Sequence, residues 1–221
     1  NFGLRTEWLA EFAEKWPREI GKAFHPQIRP ESATDERLSL LKKAGCTGIS
    51  VGIETYDEEY RRRALLRQGS NAQIFAGLDR IRKWGFKLRV YMMIGLPGRT
   101  IEDDIEDVRQ NGIVQPNFVR TGVYIPLRGT VLGQHCVDQE LWSGNDDAFS
   151  EMPVFDFSVL NLAPAHKRKV YWLQQVSYMI SHLPYGYLVA REFLEIEKPT
   201  FPDFLRICRK YGMRELFGIN S

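Results

Sequence analysis

Residues 89–100 read RVYMMIGLPGRT. An apolar run stops on Gly95-Leu96-Pro97-Gly98, and the acidic stretch IEDDIEDVRQNG follows at once. A strand that only had to stop would need one glycine. Two glycines around a proline shape a backbone that something else can approach closely. The run before the turn alternates: Leu88, Val90, Met92 and Ile94 share one strand face, and Arg89, Tyr91, Met93 and Gly95 the other. Thr100 with acids just after it opens a helix in the way the helix dipole favours.

The same pattern extends outward in both directions. Cys46–Glu54 predicts a strand with Ile49, Val51 and Ile53 opposite Gly48, Ser50, Gly52 and Glu54. Asn117–Leu127 predicts another, with Val119, Thr121, Val123 and Ile125 opposite Phe118, Arg120, Gly122 and Tyr124. A short extended segment at Ala23–Glu31 sets Phe24 and Ile28 against His25, Gln27 and Arg29. Helices are expected over Leu4–Trp16, Thr34–Gly45, DEEYRRRALLRQG, SNAQIFAGLDRIRKWG and the stretch after Thr100. Strands that alternate with helices argue for a parallel sheet with right-handed crossovers. A doubly wound sheet needs two apolar faces, whereas here one face is apolar and the other carries Arg29, Glu54, Arg89, Tyr91, Arg120 and Tyr124. That asymmetry suits a barrel holding a polar ligand, met at the C-terminal ends of the strands.

Composition sets the outer limits. The chain has 221 residues, 43% hydrophobic and 26% charged, as in ordinary globular domains. A formal net charge of +2 gives no electrostatic case for nucleic acid. No apolar run approaches a membrane span and no signal peptide is visible, so the expected compartment is the cytoplasm. The three cysteines, Cys46, Cys136 and Cys208, are too scattered for a disulfide framework or a metal cluster, and the four histidines show no ligand spacing.

With those residues in place, GCTGISVGIETYDEEYRRRALLRQGSNAQI, YMMIGLPGRTIEDD and VYIPLRGT, in this order, resemble the second half of a radical S-adenosylmethionine barrel. The closest likeness is to the cobalamin-domain-containing group, with its radical methyltransferases and anaerobic magnesium-protoporphyrin ester cyclases. The resemblance covers about residues 1–130 and implies an α/β fold: part of a (β/α) TIM-type barrel over 1–132, with a mostly helical C-terminal extension over 133–221. It implies S-adenosylmethionine as cofactor, a [4Fe–4S] cluster, and a cobalamin in those members that carry its domain. Residue by residue, Glu54 matches the acid that faces the cofactor pocket. Ile94, Gly95, Leu96 and Pro97 match the motif lying against the adenine. Ile125 and Pro126 match the sixth-strand region, and Arg29 an arginine suited to the cofactor carboxylate. Arg89, Tyr91, Arg120 and Tyr124 become candidate contacts to a small-molecule substrate, with cross-lumen ion pairing and packing as the rival roles.

The departures from the family pattern also bear on function. The CxxxCxxC motif whose thiolates hold the cluster is absent, and nothing in the chain replaces it. The chain opens on Asn1-Phe2-Gly3 without methionine, so it is expected to be the C-terminal part of a longer protein, its missing N-terminal part being the natural partner. Arg99 and Arg128 stand where the family often has Glu and Pro. The parent protein is then a methyltransferase- or oxidative-cyclase-like enzyme, and these residues alone would not cleave the cofactor. Two alternatives stay open: a non-catalytic binding module, and a nucleotide- or phosphate-binding α/β barrel using Gly95–Gly98. Toward the C-terminus, 133–153 reads as loop, Ala163–Leu183 as a helix with a core-facing stripe, and TFPDFLRICRKYGM as a short helix. Tyr171, Trp172, Tyr178, Tyr185 and Tyr187 suit packing or the path of a hydrophobic substrate.

Overall fold

The computed structural model describes residues 2–145 and 157–213. Four strands, β1 (Gln27–Ile28), β2 (Gly48–Glu54), β3 (Lys87–Ile94) and β4 (Phe118–Val123), form one parallel sheet in the order β1-β2-β3-β4. Two compact units divide the chain. One comprises Asn1–Met92 with Pro116–Arg120, the other Met93–Gln115 with Thr121–Ser221.

In the first unit, α1 (Thr6–Glu19) packs on α2 (Asp35–Lys43), whose first turn is capped by the Thr34 hydroxyl accepting from the Arg37 N–H. The short α3 (Glu58–Arg63) follows β2, and α4 (Asn71–Lys83) opens with a reciprocal Ser70–Gln73 capping box. Leu38, Leu41, Ile49, Val51, Ile53, Leu78, Ile81, Leu88 and Val90 supply the core. β2 and β3 run in register from Gly48↔Lys87 to Gly52↔Tyr91, then slip so that Glu54 lies opposite Met92. The slip coincides with the left-handed backbone of Glu54, φ +72°. Burial along β3 alternates as the sequence requires, with Leu88, Val90, Met92 and Ile94 buried and Arg89, Tyr91 and Met93 half-buried. β2 is buried on both faces up to Ile53.

In the second unit, the end of β3 leads into α5 (Ile101–Val114), capped by a Thr100–Asp103 box. Four more helices follow: α6 (Val131–Asp138), α7 (Pro164–Ile180), α8 (Gly186–Glu195) and α9 (Phe201–Lys210). Helix α8 packs on α5, α7 and α9. Of the stripe expected over Val170, Leu173, Val176, Met179 and Leu183, all are buried except Met179, which is half-buried against the same cluster, and Leu183 lies just beyond helix α7. They join Ile94, Val123, Val189, Phe193, Phe204 and Ile207 in one apolar cluster. No helix among the described residues is long and apolar enough to cross a membrane.

Several local expectations need correction. The loop expected over 133–153 begins inside helix α6, started by the Thr130 hydroxyl capping the Gly133 N–H; its part over 146–153 lies outside the described residues. Helix α8 is an addition to the sequence reading, which gives Tyr187 to packing or a substrate path and assigns that segment no element. The fourth strand ends at Val123 rather than Leu127. The helix in DEEYRRRALLRQG ends at Arg63. Arg61–Arg63 read as a solvated face, yet Arg61 is fully buried while Arg62 and Arg63 are exposed.

Candidate cofactor and substrate site

At the end of β2 the chain turns through Glu54 in a conformation that L-residues rarely adopt. The turn folds the Glu54 carboxylate back over Gly52. A Cβ built on Gly52 would lie 2.5 Å from Glu54 Oε1 and 3.6 Å from Gln27 Nε2, so glycine there is what lets the acid sit. Arg67 holds that carboxylate, with Nη1 donating to Oε1 at 3.2 Å. Both side chains are largely covered, Glu54 at 25% and Arg67 at 16% exposure. Burial pushes the Glu54 carboxyl above its usual range, and the Arg67 guanidinium pulls against that. Glu54, Arg67, Gly52, Leu65, Gln27, Ile28 and Arg29 line a cleft of about 490 Å³. Sequence analysis named Arg29 and Glu54 of this cleft and missed Arg67. Its signal was present, an arginine in the LLRQGS stretch just after a charged run, but nothing in its spacing marked it as the partner of Glu54.

Arg61, near the end of α3, braces the same stretch. It donates to the Thr55 carbonyl at 2.6 Å, the Gly69 carbonyl at 3.2 Å and Asn71 Oδ1 at 2.6 Å. The segment carrying Arg67 is thus closed onto the end of β2 by a buried charge with backbone acceptors.

On β3 and β4 of the same unit, Ser50 sits beside Arg89 and Gly52 beside Tyr91. The Tyr91 phenol lies near the Arg89 guanidinium and the Ser50 hydroxyl, and with Arg120 they hold it below its usual range. Arg89 also stacks on Phe118, 5.1 Å from the ring centre. Arg120 is exposed. His25 lies toward the start of β2, hydrogen-bonded to the Thr47 hydroxyl at 2.9 Å, over Gly48.

The Ile94–Gly98 turn belongs to the second unit. Gly95 and Gly98 both have positive φ, +66° and +76°. Their surroundings differ. A Cβ on Gly95 would meet Val170 Cγ1 at 3.0 Å, while one on Gly98 would meet nothing within 4 Å. Gly95 is therefore glycine for its conformation and for α7, and the open backbone is at Gly98. The Gly95 N–H donates to Asp104 Oδ2 at 2.9 Å. Asp104 and Asp107, one turn apart on α5, are both buried and face Arg99: its Nη2 lies 2.9 Å from Asp107 Oδ2 and its Nε 3.8 Å from Asp104 Oδ1. Arg99, a departure from the family pattern in the sequence, fixes the start of α5 through this buried triad. Ile94, Gly95, Leu96 and Pro97 are buried, as are Tyr124 and Pro126, with Ile125 half-buried.

Residues 6–110 match the Radical SAM superfamily. The match takes in a little under half of the chain and marks those residues as similar to a radical SAM domain. Over 80 residues it is 29% identical to the heme chaperone HemW of Bacillus subtilis (strain 168), which covers 36% of this chain and 21% of that protein. The chain therefore spans about a fifth of the length of that curated relative. Coproporphyrinogen III oxidase (HemN) from Escherichia coli, a radical SAM enzyme, superposes on 79% of this chain and 36% of its own, at 17% identity and a TM-score of 0.58. The radical S-adenosylmethionine methyltransferase TsrM from Kitasatospora setae superposes on 61% of this chain and 27% of its own, at 18% identity and a TM-score of 0.52. At these identities the likeness is one of fold, and it makes the four parallel strands part of a radical SAM (β/α) barrel.

The superfamily implies S-adenosylmethionine and a [4Fe–4S] cluster. The cleft by Glu54 fits the first. S-adenosylmethionine carries an ammonium, a carboxylate and ribose hydroxyls, and the cleft offers a carboxylate and two guanidinium-bearing side chains. The thiols of this chain do not fit the second. Cys46, Cys136 and Cys208 are free and buried, and burial pushes Cys46 and Cys208 up to about 11, away from the thiolate a cluster needs. Among the described residues no group of three His, Cys, Asp or Glu side chains could hold a metal.

Proposed function

We propose that this chain supplies S-adenosylmethionine-facing and substrate-facing walls of a methyltransferase- or oxidative-cyclase-like radical SAM enzyme, with cluster thiolates drawn from outside these 221 residues. One observation carries the reading: the left-handed turn at Glu54 that lays its carboxylate over Gly52, beside Arg67 and Arg29, in a cleft at the end of a parallel strand. When bound, S-adenosylmethionine supplies a sulfonium whose reductive cleavage yields a carbon radical. The residues of this chain hold and orient it. Glu54 accepts from the ammonium or the ribose hydroxyls, and Arg67 or Arg29 pairs with the carboxylate. Ile94, Gly95, Leu96 and Pro97, with Ile125 and Pro126, form the adenine wall by the family resemblance. Arg89, Tyr91, Arg120 and Tyr124 face the substrate. In those relatives that hold it, cobalamin would sit outside this chain.

Equilibrium dialysis with labelled S-adenosylmethionine tests the reading. The chain should bind it saturably, and Glu54→Gln should raise Kd by about tenfold or more, the weight of a charge-assisted hydrogen bond. ATP should compete poorly, because it lacks the methionine moiety that Glu54 and the arginines recognise. Equal binding of ATP would favour the nucleotide-binding alternative. Unchanged affinity in the Glu54→Gln protein would remove the cleft from the account.

A further inference from the structure

The face of β3 and β4 that carries Arg89, Tyr91 and Arg120 has an excess of one charge. Lys87, Arg89 and Arg120 share the alternation of that face. Its only neighbouring carboxylate on β2 is Glu54, and Arg67 already holds it. Neither Arg89 nor Arg120 forms an ion pair among the described residues. The Arg89 Nε–H is buried and has no hydrogen-bond partner. A buried guanidinium donor with nothing to bind is costly, and its neighbours add positive charge instead of relieving it. The Phe118 ring holds the Arg89 plane at 5.1 Å, so the guanidinium is oriented before any ligand arrives. The Tyr91 phenol shares this face, and the Arg89 and Arg120 guanidinium groups both draw it toward its anionic form.

A stacked guanidinium, a second arginine on the same strand face and a phenol are the groups that a receptor for an oxyanion needs. We infer that Arg89, Arg120 and Tyr91 cradle an acidic group of the substrate, a carboxylate or a phosphate, and so restrict the substrate class to anionic molecules. The inference rests on the reading that this sheet face meets substrate, and it adds the chemistry of what is met. Arg89 supplies the buried, stacked donor, Arg120 the solvent-side donor that closes over the anion, and Tyr91 a hydroxyl on the same face.

The test follows the Arg89 and Arg120 Nε–H resonances by NMR while acetate or inorganic phosphate is added at constant ionic strength. Saturable shifts at both arginines are expected, and the tighter anion of the two identifies the acidic group. Arg120→Gln should weaken that binding by about tenfold. Tyr91→Phe, which keeps the ring and its packing, should weaken it by about threefold. Shifts that grow linearly with anion, or a Kd unchanged in both variants, overturn the inference. A parallel titration with S-adenosylmethionine separates the two claims. Anion binding that persists where S-adenosylmethionine fails to bind leaves this cradle standing and removes the cofactor reading. The reverse result removes only the cradle.

Discussion

Asp104 accepts the Gly95 N–H in a fully buried position, with Arg99 and Asp107 as its charged neighbours. Burial pushes its carboxyl up to about 7, against the Gly95 N–H and the Arg99 guanidinium, which favour the anion. A carboxyl raised in the folded state contributes stability that is complete below its unfolded value near 3.8 and is lost as pH rises through about 7. In urea titrations the contribution of Asp104 should therefore fall between about pH 4 and pH 7, and Asp104→Asn should flatten the profile over that window. A wild-type and variant difference that does not change with pH would contradict this placement. The sequence shows Asp104 only as one acid among several in a first turn, where solvated acids are the rule. Its burial follows from α8 and α7 packing over α5, which no local pattern announces. Arg61 escaped notice for the same reason: three arginines in a row look like a wet helix face until the chain after α3 folds back and gives one of them three acceptors.

At the scale of elements, close backbone approach decides as much as apolar pattern. Helix α4 lies against the 3₁₀ turn Pro30–Ser32, and a Cβ on Gly77 would sit 2.0 Å from the Pro30 carbonyl oxygen. Intrinsic propensity favours alanine over glycine inside a helix by about 1 kcal/mol. The packing predicts the opposite sign. Gly77→Ala should destabilise the chain by about 2 kcal/mol or more in urea unfolding, as an overpacked contact does, and a stabilised variant would show that α4 does not press on that turn. The strands were legible because a two-residue alternation leaves few choices, and the capped helices because Thr34, Ser70 and Thr100 each precede a matching first turn. Helix α6 was not legible. Its Thr130 cap is as clear as the others, but eight residues of mixed polarity show no stripe.

At the scale of the molecule, the division into two units runs through β3 and β4. Glu54, Arg67, Arg89, Tyr91 and Arg120 belong to one unit, and the Ile94–Gly98 turn belongs to the other. The sequence motifs named Glu54 and the Ile94–Gly98 turn because each stands at the end of a strand, where parallel α/β folds meet their ligands, and the alternation of faces named Arg89, Tyr91 and Arg120. The partner that completes the acid, Arg67, comes from an irregular segment, and only the folded chain brings it to Glu54. The central claim is that the end of β2 holds S-adenosylmethionine. Hydrogen–deuterium exchange read peptide by peptide, with and without S-adenosylmethionine, tests it most directly. The account predicts slowed exchange in peptides covering 52–67. Exchange unchanged at 52–67 under saturating S-adenosylmethionine, or slowed only elsewhere, would contradict it.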